Sequence, residues 1–155
     1  MKFNIFIGLL LFILSILVSI LISNKLTIKT KFYQQICDFN KKLEIEINYT
    51  KRSILEIIKS QDELIFKLLD DYFVKKIGLD DKYYTFLSQD EKKEIKNYLS
   101  VIGKYDDETQ LNVLSAKMEY FRETLTEHKL KEEKYKPLYI KLGIFIGLIL
   151  FILLL

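Results

Sequence analysis

The stretch from Phe3 to Ile22, FNIFIGLLLFILSILVSILI, decides how the rest of the chain is read. It holds 20 residues and not one charge. As a helix rising ~1.5 Å per residue it would be about 30 Å long, the thickness of a bilayer's hydrocarbon core. A cleaved signal peptide is the competing reading. Its apolar core usually runs ~7–15 residues and ends at an Ala-x-Ala-like site. The longer run and the lack of such a site favour an uncleaved anchor. The other end of the chain repeats the pattern. Leu142 to Leu155, LGIFIGLILFILLL, is again uncharged. With Pro137, Leu138, Tyr139 and Ile140 in front, broken only by Lys141, the apolar segment reaches 19 residues. Lys141 can snorkel to the headgroups, and Tyr135 and Tyr139 stand where interfacial aromatics belong. A soluble fold would have to bury the last 14 residues in a core helix, and the second apolar terminus argues against that.

Flanking charge predicts the orientation. Lys25, Lys29 and Lys31 follow the first apolar run, and Lys129, Lys131, Lys134, Lys136 and Lys141 precede or enter the second; beyond the runs stands Lys2 alone. The positive-inside bias therefore expects the central segment in the cytoplasm and both termini across the membrane. A lone Cys37 suits a reducing compartment. The expected organisation is residues 1–23 as a first transmembrane helix, 24–136 as a cytoplasmic helical bundle and 137–155 as a second transmembrane helix.

Composition narrows the fold class. The chain has 155 residues, half of them hydrophobic, with five Gly, one Pro, one Cys and one His. The length allows one ordinary domain between the spans. So few breakers do not suit a strand-rich, turn-rich fold. One Cys and one His exclude a disulfide framework and a Cys/His zinc site.

The central segment carries apolar residues at helical spacing. Phe32, Ile36, Phe39, Leu43, Ile47, Thr50, Ile54 and Ile57 advance in threes and fours. With no Gly or Pro from Asn24 to Gly78, this first soluble helix is expected to run about 28 residues. Ser60 with Glu63 has the capping-box spacing and predicts a second helix ending at Gly78. Ser88 with Glu91 repeats that pattern before a helix through Ile95, Tyr98, Leu99 and Ile102, with Gly103 as its stop. Asp106 or Asp107 would cap the last helix, with Glu108 in its first turn. Its stripe is Leu111, Leu114, Met118, Phe121, Leu125, His128, Glu132 and Tyr135, apolar in the first five positions. The long first and last helices should lie antiparallel. The fold class is thus all-α: a membrane-anchored antiparallel helical bundle with a transmembrane helix at each end.

The residues offer little for catalysis. There is no phosphate-binding Gly loop, no Gly-x-Ser-x-Gly and no His-Glu-x-x-His. His128 lies among Glu127, Lys129 and Glu132 without a nearby nucleophile, and reads as a surface or groove histidine. Cys37 adjoins the core-facing stripe and reads as a small buried hydrophobe. The pairs Asp70–Asp71, Asp80–Asp81 and Asp106–Asp107 lack EF-hand spacing, so capping and solvation explain them better than a cation site. Residues 24–141 carry 23 basic against 21 acidic side chains, too even a balance for a polyanion binder. No enzyme, cofactor, metal or nucleic-acid partner is expected. In the membrane segments, Gly143 and Gly147 form Gly-x-x-x-Gly, and Ser15, Ser19 and Ser23 form a small-residue ladder. Both patterns allow close helix approach, within one chain or between copies, although glycines are common in membrane helices anyway.

Three stretches together resemble the stage III sporulation protein AB family. Leu43-Glu44-Ile45-Glu46-Ile47-Asn48-Tyr49-Thr50 is similar to its L-x-x-E-I-x-Y block. Ile102-Gly103-Lys104-Tyr105-Asp106-Asp107-Glu108-Thr109-Gln110 is similar to its L-G-x-S-D-x-x-x-Q turn. Lys134-Tyr135 through Tyr139, Leu142-Gly143 and Gly147 to Leu155 resemble its closing anchor. Two departures stand out: Arg52-Ser53-Ile54 replaces the family's Thr-Pro-Leu, so the first helix would run on where the family breaks, and Tyr105 replaces a Ser. The resemblance implies a non-enzymatic membrane component of endospore formation, in the mother-cell membrane facing the forespore. Such proteins are similar to the F-type inner-membrane platform proteins of type II secretion. The implied partners are a motor ATPase, stage III sporulation protein AA, and other membrane subunits of the sporulation channel. Ser60, Glu63, Gly103, Asp106, Asp107 and Gln110, at turns expected farthest from the bilayer, are the candidate docking residues. Gly103, Asp106 and Gln110 have a purely local capping explanation beside that role. The rival reading is a membrane-tethered adaptor or signalling protein that dimerises through its long helices, and a homo-oligomer stays open in either case.

Overall fold

The computed structural model describes residues 2–50, 54–59, 63–76 and 84–154, and these are helical with short turns and no strand. Helix α1 runs Lys2–Ile45 and helix α5 runs Asp107–Leu153. Between them lie α2 (Ile54–Lys59), α3 (Glu63–Leu69) and α4 (Gln89–Val101), with π-helical turns at Glu46–Thr50 and Asp70–Val74. The all-α reading therefore holds, with long apolar helical stretches at both ends of the chain. The chain divides into two compact units, one of residues 1–30 with 127–155, the other of residues 31–126.

The first unit is a pair of antiparallel helix segments whose outer surface is apolar. Phe6, Leu21, Phe145 and Leu153 stand 64%, 66%, 63% and 75% exposed. In water such a surface would be a large unfavourable patch; lipid tails are its natural solvent. Where the two segments meet, small residues alternate with large ones. Gly8 lies against Phe151, and Gly147 against Phe12. Gly143 lies against Ser15 and Ser19, and the Ser15 hydroxyl donates to the Gly143 carbonyl at 2.7 Å. A Cβ added at Gly143 would fall 1.8 Å from Ser19 Oγ and 2.5 Å from Ser19 Cβ. Glycine is therefore what lets the backbones approach this closely.

Past the apolar segments, the same pair is joined by polar contacts. Thr27 donates to Glu132 at 2.6 Å, and Lys136 Nζ donates to Thr27 at 2.8 Å and to Glu132 at 3.3 Å. The Thr27 hydroxyl is the main cause that holds the Glu132 carboxyl below its ordinary pKa. Thr30 reaches its own Leu26 carbonyl and that of His128. His128 itself is buried. Pro137 sits within α5 without interrupting it; lacking an N–H, it leaves the Glu133 carbonyl without its usual helical donor.

The hydrophobic core formed by the described residues lies in the second unit. The stripe of α1 is buried as its spacing demands: Phe32, Ile36 and Phe39 are fully buried and Leu43 nearly so. Leu114, Met118, Phe121 and Leu125 meet it from α5, and Ile95, Tyr98 and Leu99 from α4. Tyr98 packs edge-on to Phe121 with ring centroids 5.0 Å apart, and Phe32 likewise to Phe86 at 5.3 Å. One polar knot runs through this core. Asn40, with no exposed surface, donates to the Leu114 carbonyl at 2.9 Å and accepts from the Tyr98 hydroxyl at 2.9 Å. It ties α1, α4 and α5 in one register. Burial pushes the Tyr98 phenol well above its usual pKa.

Two helices end earlier than their spacing predicts. The first soluble helix does not keep α geometry all the way to Ile57, and residues 51–53, where the family's break would fall, lie outside the described residues. Its α geometry stops at Ile45, and a π-turn follows. There the Asn48 amide donates to the Glu44 carbonyl at 2.9 Å, so a side chain competes for a carbonyl of the helix. The next helix keeps α geometry only to Leu69. The Lys75 N–H reaches back five residues to the Asp70 carbonyl at 3.0 Å, and Lys75 Nζ bridges Asp70 and Asp71 at 2.8 and 2.9 Å. The chain then turns at Lys76, whose φ is 55°. Gly78 lies outside the described residues.

Candidate docking site at the turn between α4 and α5

The turn is assembled by capping. Ser88 begins α4 with a full capping box: its hydroxyl accepts from the Glu91 N–H at 3.3 Å, and its own N–H donates to the Glu91 carboxylate at 2.7 Å. After Ile102 the chain reverses at Gly103, whose φ of 75° favours glycine. Gly103 N–H then donates to Gln110 Oε1 at 3.0 Å. Asp106 caps α5, its carboxylate accepting from the Thr109 N–H at 3.1 Å. Thr109 is also the main reason the Asp106 carboxyl lies below its ordinary pKa. Of the two aspartates, Asp106 therefore does the capping, while Asp107 is exposed in the first helical turn beside Glu108.

Gly103, Asp106, Asp107 and Gln110 are thus brought together. Ser60 lies outside the described residues, as does the side chain of Glu63, and so does the pair Asp80–Asp81. Beneath the turn is a cavity of about 320 Å³. Its apolar walls are Leu43, Ile47, Ile57, Ile102 and Leu114, and Glu46, Tyr105 and Asp107 also line it. Two of the stretches singled out in the sequence, 43–50 and 102–110, therefore meet at one recess. The π-turn at Glu46–Thr50 supplies part of its wall, and π-turns of this kind often accompany functional sites.

Gln110 also lines the cavity and is 4% exposed. Its Oε1 serves Gly103, but its Nε2 is buried with no hydrogen-bond partner. Leaving such a donor unpaired costs about 1–3 kcal/mol. Its sequence position signalled a cap and gave no hint of a half-satisfied amide. Among the described residues no group of three or more His, Cys, Asp or Glu side chains is placed to hold a metal.

A helical core, together with helices at both ends of the chain long and apolar enough to cross a bilayer, defines a membrane-anchored, all-α protein. The family model for stage III sporulation protein AB matches residues 74–155, more than half of the chain. The chain belongs to this family, and with it to the proteins of sporulation. Comparisons with curated proteins and with solved structures gave no match.

Proposed function

We propose that this chain is a non-enzymatic platform subunit of the sporulation complex that links mother cell and forespore, and that it docks a cytoplasmic motor ATPase, stage III sporulation protein AA. Its second unit faces the mother-cell cytoplasm, as the lysines flanking both apolar segments favour. The observation that carries the reading is the α4–α5 turn: an acidic, locally braced surface of Asp107 and Glu108 above a recess. Local capping explains Gly103 and Asp106, whereas Asp107 and Glu108 stand exposed in the first turn of α5.

The test reverses charge without removing the cap. The double substitution Asp107→Lys and Glu108→Lys leaves Asp106 in place. The full-length variant, purified in lipid nanodiscs, is expected to lose retention of the purified ATPase in a pull-down while keeping its helical circular dichroism. Retention equal to wild type by a folded variant would refute docking at this turn.

A further inference from the structure

A groove at the polar end of the first unit has the parts of a lipid-headgroup site. It measures about 520 Å³ and is lined by Thr30 of α1 and by Lys129, Glu132, Glu133, Lys136 and Pro137 of α5. From Leu138 onward α5 is apolar apart from Lys141, so the groove falls where acyl chains give way to headgroups. We propose that it holds one phosphatidylethanolamine molecule. The ammonium donates to the backbone carbonyl and the carboxylate of Glu133. The phosphate meets Lys141, and the acyl chains run along α5 past Phe145. This lipid site is separate from docking at the α4–α5 turn and stands whether or not that docking occurs.

Three features of α5 select this headgroup. Pro137 has no N–H, so the Glu133 carbonyl lacks its helical donor. The carbonyls of a helix point along its axis toward the C-terminus, which here is toward the apolar segment and the headgroup layer. The Glu133 side chain is exposed beside that free acceptor. Lys129 stands four residues before it, but lysine preceding glutamate is the weaker order at this spacing, and among the described residues neither makes an ion pair. A carboxylate and a free carbonyl are acceptors only, and an ammonium with three N–H groups is their matched donor. Lys141 supplies the opposite half. It interrupts an apolar run, is exposed, and has no partner among the described residues. A cation at that depth is costly until its long stem carries it outward to a phosphate. From the bilayer outward the order is Lys141, Pro137, Glu133, which matches phosphate first and ammonium beyond it. The remaining charges are already committed: Glu132 and Lys136 bond to each other and to Thr27. The volume lies within the roughly 300–1,000 Å³ of small-ligand clefts. Phe145, exposed one turn past Lys141, gives the chains an apolar path.

The test compares three lipids with matched acyl chains. The full-length protein in detergent micelles is mixed with equal amounts of phosphatidylethanolamine, phosphatidylcholine and phosphatidylglycerol, and retained lipid is counted by native mass spectrometry. Phosphatidylcholine keeps the phosphate and the positive charge but has no N–H to donate. Phosphatidylglycerol keeps the phosphate but carries no cation. Phosphatidylethanolamine is expected to be retained at least fivefold over each of the others. Pro137→Ala returns an N–H to the Glu133 carbonyl, and Glu133→Gln removes the charge at nearly constant size. Each is expected to cut that preference at least threefold with helical circular dichroism unchanged. Equal retention of the three lipids, or a preference for either of the other two, overturns the proposal. A preference that survives either substitution in a folded protein overturns the assignment to Glu133. Should a variant lose helicity, the comparison of the three lipids on the wild-type chain decides.

Discussion

Gly143→Ala tests the close approach of the two apolar helix segments. The new Cβ would lie 2.5 Å from Ser19 Cβ. Rotating the Ser19 hydroxyl away removes the 1.8 Å clash with Oγ but cannot move Cβ, which is fixed by the backbone. Ordinary contact begins near 3.4 Å, so the helices must part locally by about 0.9 Å. A gap of that size forfeits a quarter to a half of the dispersion energy of the facing atoms. It also stretches the Ser15 hydrogen bond to the Gly143 carbonyl from 2.7 Å toward about 3.6 Å, beyond useful length. Overpacking of this kind costs about 1–3 kcal/mol, and a hydrogen bond between membrane helices about 0.6 kcal/mol. A loss of ~2 kcal/mol, about thirtyfold in the folding equilibrium, is expected. The assay is reversible unfolding of the full chain in mixed micelles by added sodium dodecyl sulfate. A compensating Ser19→Gly in the same chain removes the clashing atoms and should recover most of the loss. A Gly143→Ala protein as stable as wild type, or a double variant no better than the single one, would refute the packing argument.

Other expectations follow from single contacts. Asn40→Leu orphans the Tyr98 hydroxyl inside the core and takes the second donor from the Leu114 carbonyl, which keeps its helical partner, and should cost about 1–3 kcal/mol in chemical denaturation. Tyr98→Phe, which orphans only Asn40 Oδ1, should cost about 1–2 kcal/mol, and the two effects should not add because they share a partner. Gly103→Ala forces a Cβ into a φ of 75° and should lower stability by about 1–2 kcal/mol, with Gly103→Asn milder. The Glu132 carboxyl is more acidic folded than unfolded, so its stabilising effect is complete above the unfolded carboxylate pKa and fades as pH falls through its lower folded value. Glu132→Gln should therefore flatten the acid limb of the stability–pH curve, which melts between pH 3 and pH 7 would read directly; an unchanged limb would contradict the Thr27–Glu132 contact.

Much of this architecture can be read in the chain because local and global signals agree. The apolar stripes of α1 and α5 bury the side chains their spacing selects, and Ser88, Gly103 and Asp106 perform the capping their positions announce. The remainder depends on contacts distant in sequence. Nothing near Asn40 says that an amide will sit in the middle of an apolar stripe, because its partners are on α4 and α5. The change from α to π geometry after Ile45 carries no Gly or Pro to announce it; Asn48 holds a helix carbonyl there. The recess beneath the turn needs Leu43 and Leu114 in one place before it exists at all, so the sequence shows the turn but not the hollow under it. Gly143 and Gly147 stand out in the sequence as small residues, whereas their opposite numbers on α1 depend on how the two helices meet.

Those opposite numbers carry a consequence for how this protein can change over time. Phe12 occupies the space that Gly147 leaves, and Phe151 the space that Gly8 leaves. A lineage that enlarges either glycine must shrink the phenylalanine across from it, by a step that is harmful when taken alone. The two ends of the chain, the most distant parts of the sequence, are therefore expected to drift as linked pairs. Among family members, size at position 8 should vary inversely with size at 151, and size at 12 inversely with size at 147. The outward-facing leucines and isoleucines beside them should exchange with little constraint on one another.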